Sequence, residues 1–296
     1  MPFLGELCAL LTACCWSGSS LAFAAATVRV GPIRLNVTRL MVASVLICVT
    51  VVVAGIEVHL SSPQLRNLVI SGIVGLVLGD SFLFKAYEYI GARLTMLIAS
   101  LAPAVSAVVA FLLLDEIIAW LGILGMLVTL VGVGIVVLER RESFVIPRRY
   151  HGLGILYGIL AAVCQGVGLV IAKLAFLEGP IDGFVATLVR IVAAVLVIFP
   201  VAKLSGRYEN TLQIYLSDRK AIGFTMLGAL LGPYLGITLS LIAISLTKVG
   251  IAATLMAMVP IIMLPLVKYI QKEVLGWRAI IGALVAVGGV AILFLR

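Results

Sequence analysis

Ten consecutive stretches of mostly apolar residues make up this chain, each near the roughly 20 residues a helix needs to cross a bilayer. They cover 4–26, 35–55, 68–89, 93–114 and 118–138, then 152–176, 184–203, 221–245, 249–270 and 276–295. Only three connections, 56–67, 139–151 and 204–220, have much polar character. In hydrocarbon the backbone finds no water to bond, so a run of such stretches restricts the fold to an all-α polytopic membrane bundle. Composition agrees: 63% of residues are hydrophobic and 11% charged, against about half and about a quarter in soluble domains. No polar stretch is long enough for a soluble domain. The first apolar stretch has neither a positive n-region nor a small-residue cleavage site, and is expected to stay as a span.

Halfway along, the pattern begins again. Pro103, Glu116, Trp120, Gly125 and Gly132 recur at one constant offset as Pro260, Glu273, Trp277, Gly282 and Gly289. Gly75 and Gly79 match Gly228 and Gly232, Gly31-Pro32 matches Gly179-Pro180, Cys15 matches Cys164, and Arg39 sets against Arg190. Matches at fixed spacing mark an internal repeat. The expected organisation is a first repeat at 1–140, a connecting loop at 141–151 and a second repeat at 152–296. Five spans per half is an odd number, so the second copy must enter the membrane in the opposite sense. This is the inverted-repeat plan of many secondary transporters, whose substrate site lies centrally between the halves.

With ten spans both termini share one face. That face holds Arg66, Lys248, Arg296 and marginally Lys173. Arg29, Arg34, Arg140, Arg141, Arg148, Arg149, Arg207, Arg219 and Lys220 fall on the other. The positive-inside rule then predicts that both termini lie outside the cytoplasm. The net charge of +8 sits between spans, which suits anionic lipid and not nucleic acid. The five cysteines lie in apolar spans without metal spacing, and both histidines lie in connections, so no metal site is expected.

Few polar residues remain inside the spans. Asp80 stands near the middle of the third stretch, where a carboxylate costs about 2.5–3.5 kcal/mol and marks a functional-site hypothesis. The alternative is a structural Asp, protonated or bonded to a neighbouring helix. Pro233 takes its place in the second half, so the carboxylate has no twin. Arg190 is its candidate charge partner, although Arg39 and Arg190 both also read as helix-end anchors. Ser81 and Phe84 accompany Asp80. Trp16 and Ser20 in the first span, with Gln165 as the counterpart of Trp16, lie beside stripes of small residues suited to helix packing. In the eighth span Tyr234 and Thr238 are one turn apart. Thr95 and Ala99 line a small, weakly polar face of the fourth span, and Met256 is the counterpart of Ala99. Pro103 and Pro260 are expected hinges, each freeing a carbonyl four residues back. Glu116 and Glu273 read as helix-start carboxylates of the fifth and tenth spans. Nothing suits an enzyme: there is no phosphate loop, no acidic pair at mid-depth and no nucleophile beside a base.

"CCWSGSS", "LGDSFLFKAYEYIGA" running into "TMLIASLAPAVSAVVAFLLLDE", and the repeat "AATLMAMVPIIMLPLVKYIQKE" resemble the drug/metabolite transporter superfamily in its ten-span EamA-type branch. The likeness spans essentially the whole chain. It departs at Asp115-Glu116, where the family usually shows Gly-Glu. The resemblance implies a bacterial inner-membrane exporter or exchanger of amino acids or similar small metabolites, often proton-driven. No cofactor is expected beyond a coupling proton, and the expected partners are a small-molecule substrate and the lipid bilayer. A monomer suffices because one chain holds both repeats. On this reading Asp80 binds a proton or a substrate amine, Trp16 and Tyr234 stack on the solute, and Gln165 and Thr238 hydrogen-bond it. Two rivals stand beside it: a passive facilitator or exchanger of a neutral metabolite with a structural Asp80, and a non-transporting scaffold or sensor.

Overall fold

The computed structural model of the protein describes residues 3–139, 151–270 and 276–294. All regular structure there is helical. The first half comprises α1 (Leu4–Val30), α2 (Pro32–Val53), α3 (Ser62–Gly72), a π-helical segment π1 (Ile73–Gly79), α4 (Asp80–Ala99), α5 (Ala102–Leu114) and α6 (Trp120–Glu139). The second comprises α7 (His151–Leu177), α8 (Gly183–Leu204), a short α9 (Thr211–Ser217), α10 (Arg219–Ala229), π2 (Leu230–Gly236), α11 (Ile237–Leu246), α12 (Val249–Met256), α13 (Val259–Ile270) and α14 (Trp277–Phe294). The loop expected at 141–151 lies, apart from His151, outside the described residues, as does Glu273. Among the described residues nine helices are long and apolar enough to cross a membrane, and Ala102–Leu114 is a shorter apolar helix. The chain is an integral membrane protein. Valines and leucines such as Val53, Leu112 and Leu196 are exposed on the outside of the bundle, where lipid covers them.

The third and fourth stretches are not parted in the helical pattern. Helical geometry is continuous from Asp80 to Ala99. Along α7, Gly168 meets Gly75, Gly79 meets Gln165, and Gly154 meets Ile90, so this arm runs antiparallel to α7. Gly158 then meets Ile98, and Gly166 meets Ala102 and Ser106, so the following arm runs parallel to it. The path therefore reverses between Ile90 and Ile98, at the boundary expected between the third and fourth stretches.

The two halves are inverted copies. Gly125 and Gly132 on α6 are the repeat mates of Gly282 and Gly289 on α14. In the fold Gly125 faces Gly289 and Gly132 faces Gly282, an antiparallel seam that a two-fold axis exchanges with itself. Small residues allow this backbone approach; a Cβ on Gly132 would fall 2.4 Å from the Ala286 nitrogen. The first helix of each half crosses over. α1 packs on α10, π2, α11, α12 and α13, while α7 packs on α3, π1, α4 and α5.

Helix starts follow local chemistry. Ser61 and Gln64 form a capping box ahead of Pro63, so the third span starts at Ser62, six residues before the hydropathy edge at Leu68. Asp80 is thus about 27 Å along its span at 1.5 Å per residue, past the middle and toward the face opposite the termini. Both prolines break their helices as expected. α4 stops ahead of Ser100 and Leu101, and α12 ahead of Ala257 and Met258, leaving Pro103 and Pro260 second in α5 and α13. Glu116 does not cap its own next helix. Its carboxylate accepts the Val249 backbone N–H at 2.8 Å and so caps α12 of the other half. Beside it the Lys248 ammonium donates to the Ile117 carbonyl. Lys173 is buried and donates to the Ile244 carbonyl at the end of α11 at 2.5 Å, so it is a helix cap and not a loop charge.

Candidate functional site

In each half the third span widens into one stretch of π-helix, Ile73–Gly79 and Leu230–Gly236, so the structure sets Gly75, Gly79 and Asp80 against Gly232, Gly236 and Ile237, a correction of the matches to Gly228, Gly232 and Pro233 expected from the sequence. Such wide turns recur at functional positions because they shift the hydrogen-bond register and re-aim the next side chain. Here π1 delivers Asp80 at its end.

Asp80 is buried, and its carboxylate has partners from two other helices. One oxygen accepts from Arg39 Nη2 at 2.5 Å and the other from Gln165 Nε2 at 3.0 Å. Arg39 Nε donates to Asn36 Oδ1 at 2.9 Å, and its guanidinium lies over the rings of Phe23 at 5.2 Å and Phe84 at 5.9 Å. Gln165 also donates to the Gly75 carbonyl at 3.3 Å, inside π1. Charge-assisted bonds of this kind are roughly twice as strong as neutral ones. The centre joins α2, α4 and α7, and so draws on both repeats.

The charge partner differs from the expected one. Arg190 forms no ion pair with Asp80 within 4.0 Å; Arg39 does. Neither arginine is a helix-end anchor. Arg39 is held in the Asp80 centre, and Arg190 is only 4% exposed, its guanidinium against Gly75. Counted from a stretch that begins at Leu35, Arg39 falls in the first turns, as a helix-end anchor would. The helix begins at Pro32, which is pre-set for a first turn.

The other expected residues divide into three groups. Gln165 and Phe84 join Asp80. Trp16 and Tyr234 belong to the π2 side: the indole of Trp16 packs on Gly236, and the Tyr234 hydroxyl bonds Thr50 at 2.9 Å while its ring tilts against Phe184. Thr50 is eleven residues beyond Arg39 on α2, about 16 Å along the helix, so Tyr234 does not meet Asp80. The rest point elsewhere. Thr238 is buried and spends its hydroxyl on the Tyr234 carbonyl at 2.6 Å; Ser20 spends its own on the Trp16 carbonyl at 2.7 Å. Ser81 is exposed, Thr95 and Met256 are buried, and Ala99 lies half-buried at the helix break. Sequence reasoning missed Arg39, Asn36 and Phe23. A groove of about 770 Å³ lies on the outer face between α2, α3 and α8, lined by apolar groups such as Val45, Val69 and Leu196. It faces lipid and is separate from this centre.

Against known proteins, the EamA-like transporter family matches twice, over residues 3–138 and 152–295. The chain belongs to the EamA-like transporter family. A solved crystal structure is similar to this EamA-type chain over 97% of its length and 94% of the other, with a TM-score of 0.78 and 20% identity, which supports the fold. No curated protein matches it.

Proposed function

We propose that this membrane transporter exports a small amphiphilic metabolite, such as an amino acid, by alternating access, with Asp80 as the coupling group. The observation that carries the reading is the Asp80–Arg39–Gln165 centre, an ion pair inside a membrane bundle that ties together both inverted halves. A proton or a substrate amine arriving at Asp80 weakens its hold on Arg39 and Gln165. That loosens α2 and α7 from α4, and the helix breaks before Pro103 and Pro260 supply the bending points. The partly exposed aromatic groups on the π2 side, Trp16 and Tyr234, suit the apolar part of such a solute. We place the protein in a bacterial inner membrane with both termini outside the cytoplasm, and take it to work as a monomer.

The test is flux of labelled amino acids from proteoliposomes with and without an imposed pH gradient. Asp80→Asn is expected to abolish gradient-driven accumulation, with flux down at least about tenfold. Accumulation that keeps its pH dependence in this variant would remove the coupling role. A second reading, a facilitator of a neutral solute with the ion pair as a fixed strut, is favoured by the short Arg39–Asp80 bond. It predicts equilibration without accumulation under any gradient.

A further inference from the structure

Arg39 and Arg190 are repeat mates, each seven residues into its helix, and they enter from opposite faces. A single carboxylate serves both. Asp80 neutralises Arg39, whereas Arg190 is 4% exposed and, among the described residues, has no ion pair and no hydrogen-bond partner for its Nε atom. A guanidinium stays charged at any accessible pH. The elements packed most closely on α8 are α2, α3, π1 and α11, and none of them contains an Asp or Glu; the carboxylate whose charge reaches Arg190 is Asp80, just past π1 and already bonded to Arg39. Two arginines and one aspartate therefore leave one positive charge in excess at this centre. Such a charge is costly in a bundle unless something of opposite sign completes it. The guanidinium lies closely against π1. Gly75 faces the guanidinium, and a Cβ there would come within 3.2 Å of Nη2. The Gly75 carbonyl in turn holds Gln165, which holds Asp80.

We propose that Arg190 is the anion subsite of the transport centre, and that the solute carries an oxyanion, a carboxylate or a phosphate, which binds its guanidinium. The inference rests on the transporter reading and gives its substrate class. The solute's oxyanion goes to Arg190 and its other polar end to Asp80 and Gln165.

The test is thermal unfolding of purified full-length protein in detergent, titrated with acetate, inorganic phosphate or acetamide in a chloride background of constant ionic strength. Acetate or phosphate is expected to raise Tm by on the order of 2–4 °C at tenfold its Kd, and acetamide to leave it unchanged. The difference between acetate and phosphate tells which oxyanion fits. Arg190→Gln should abolish the shift, and Arg190→Lys should keep part of it. Arg190→Gln removes an uncompensated charge, so its own Tm should equal or exceed that of the wild type, which separates lost binding from lost folding. Equal shifts in wild type and Arg190→Gln, no shift with either oxyanion, or equal stabilisation by chloride alone would each overturn the assignment. Binding is read without flux, so a protein that binds oxyanions at Arg190 but moves no solute in vesicles would fail the transport reading only.

Discussion

The two π-helical segments share one backbone and differ in chemistry. π1 is surrounded by Asp80, Arg39, Gln165 and Arg190, so its neighbourhood is charged. Around π2 lie Trp16, Phe23, Tyr234 and Phe184, with Ile237 where the other half has Asp80. Duplication supplied a symmetric frame, and divergence then left one π-helical segment in charged surroundings and the other in aromatic ones. The arginines show the same split more sharply, since one of two equivalent cations has a counter-charge and the other does not.

Three perturbations break or sharpen this comparison. The largest effect belongs to the symmetric frame. Gly132→Leu drives a side chain into the α14 backbone, where even a Cβ would sit 2.4 Å from a backbone nitrogen, and should cost about 3 kcal/mol or more. Loss of monodisperse protein on size exclusion would register it. Gly288→Leu, at a position with nothing within 4 Å, should leave the elution profile intact. Next comes the asymmetry of charge. Arg39→Gln leaves Asp80 without its cation and should lower stability by about 2–4 kcal/mol, read as a fall in Tm; the mate variant Arg190→Gln should show none. Equal falls in both would mean that the two arginines are equivalent after all. The smallest effect is expected on the aromatic side. Tyr234→Phe loses one hydroxyl bond to Thr50, about 0.5–1.5 kcal/mol, and should shift Tm slightly with flux largely retained.

The membrane-spanning helices, the repeat and its inversion were legible in the sequence because each follows from a periodic quantity. A bilayer imposes length, a duplication imposes an offset, and an odd number of spans imposes the change of sense. The helix breaks at Pro103 and Pro260 were legible for a covalent reason, the missing N–H. The partner of Asp80 was not. It depends on α1 and α7 crossing between the halves and on a change of hydrogen-bond register in π1, and neither leaves a periodic mark. The glycines Gly75 and Gly79, with Gly232 and Gly236 in the second half, were the available signal, because they flag the same irregular turn twice. Glu116 misled for a similar reason: adjacency in sequence suggested α6, while the fold gives its carboxylate to α12. Outside the spans, Asp218 behaves as its position predicts. Its bond to the Arg29 guanidinium, then those to the Ala221 and Lys220 N–H groups, hold its carboxyl below the usual range.

The glycine seam between α6 and α14 also sets an order of events during synthesis. The whole second repeat separates these two helices in the chain. At ordinary translation rates of 5–20 residues per second, α6 waits roughly 10–30 s in the membrane before its partner is made. During that interval its bare backbone stripe faces lipid or the insertion machinery. The first half is therefore held as an open intermediate, and the seam closes only when α14 arrives.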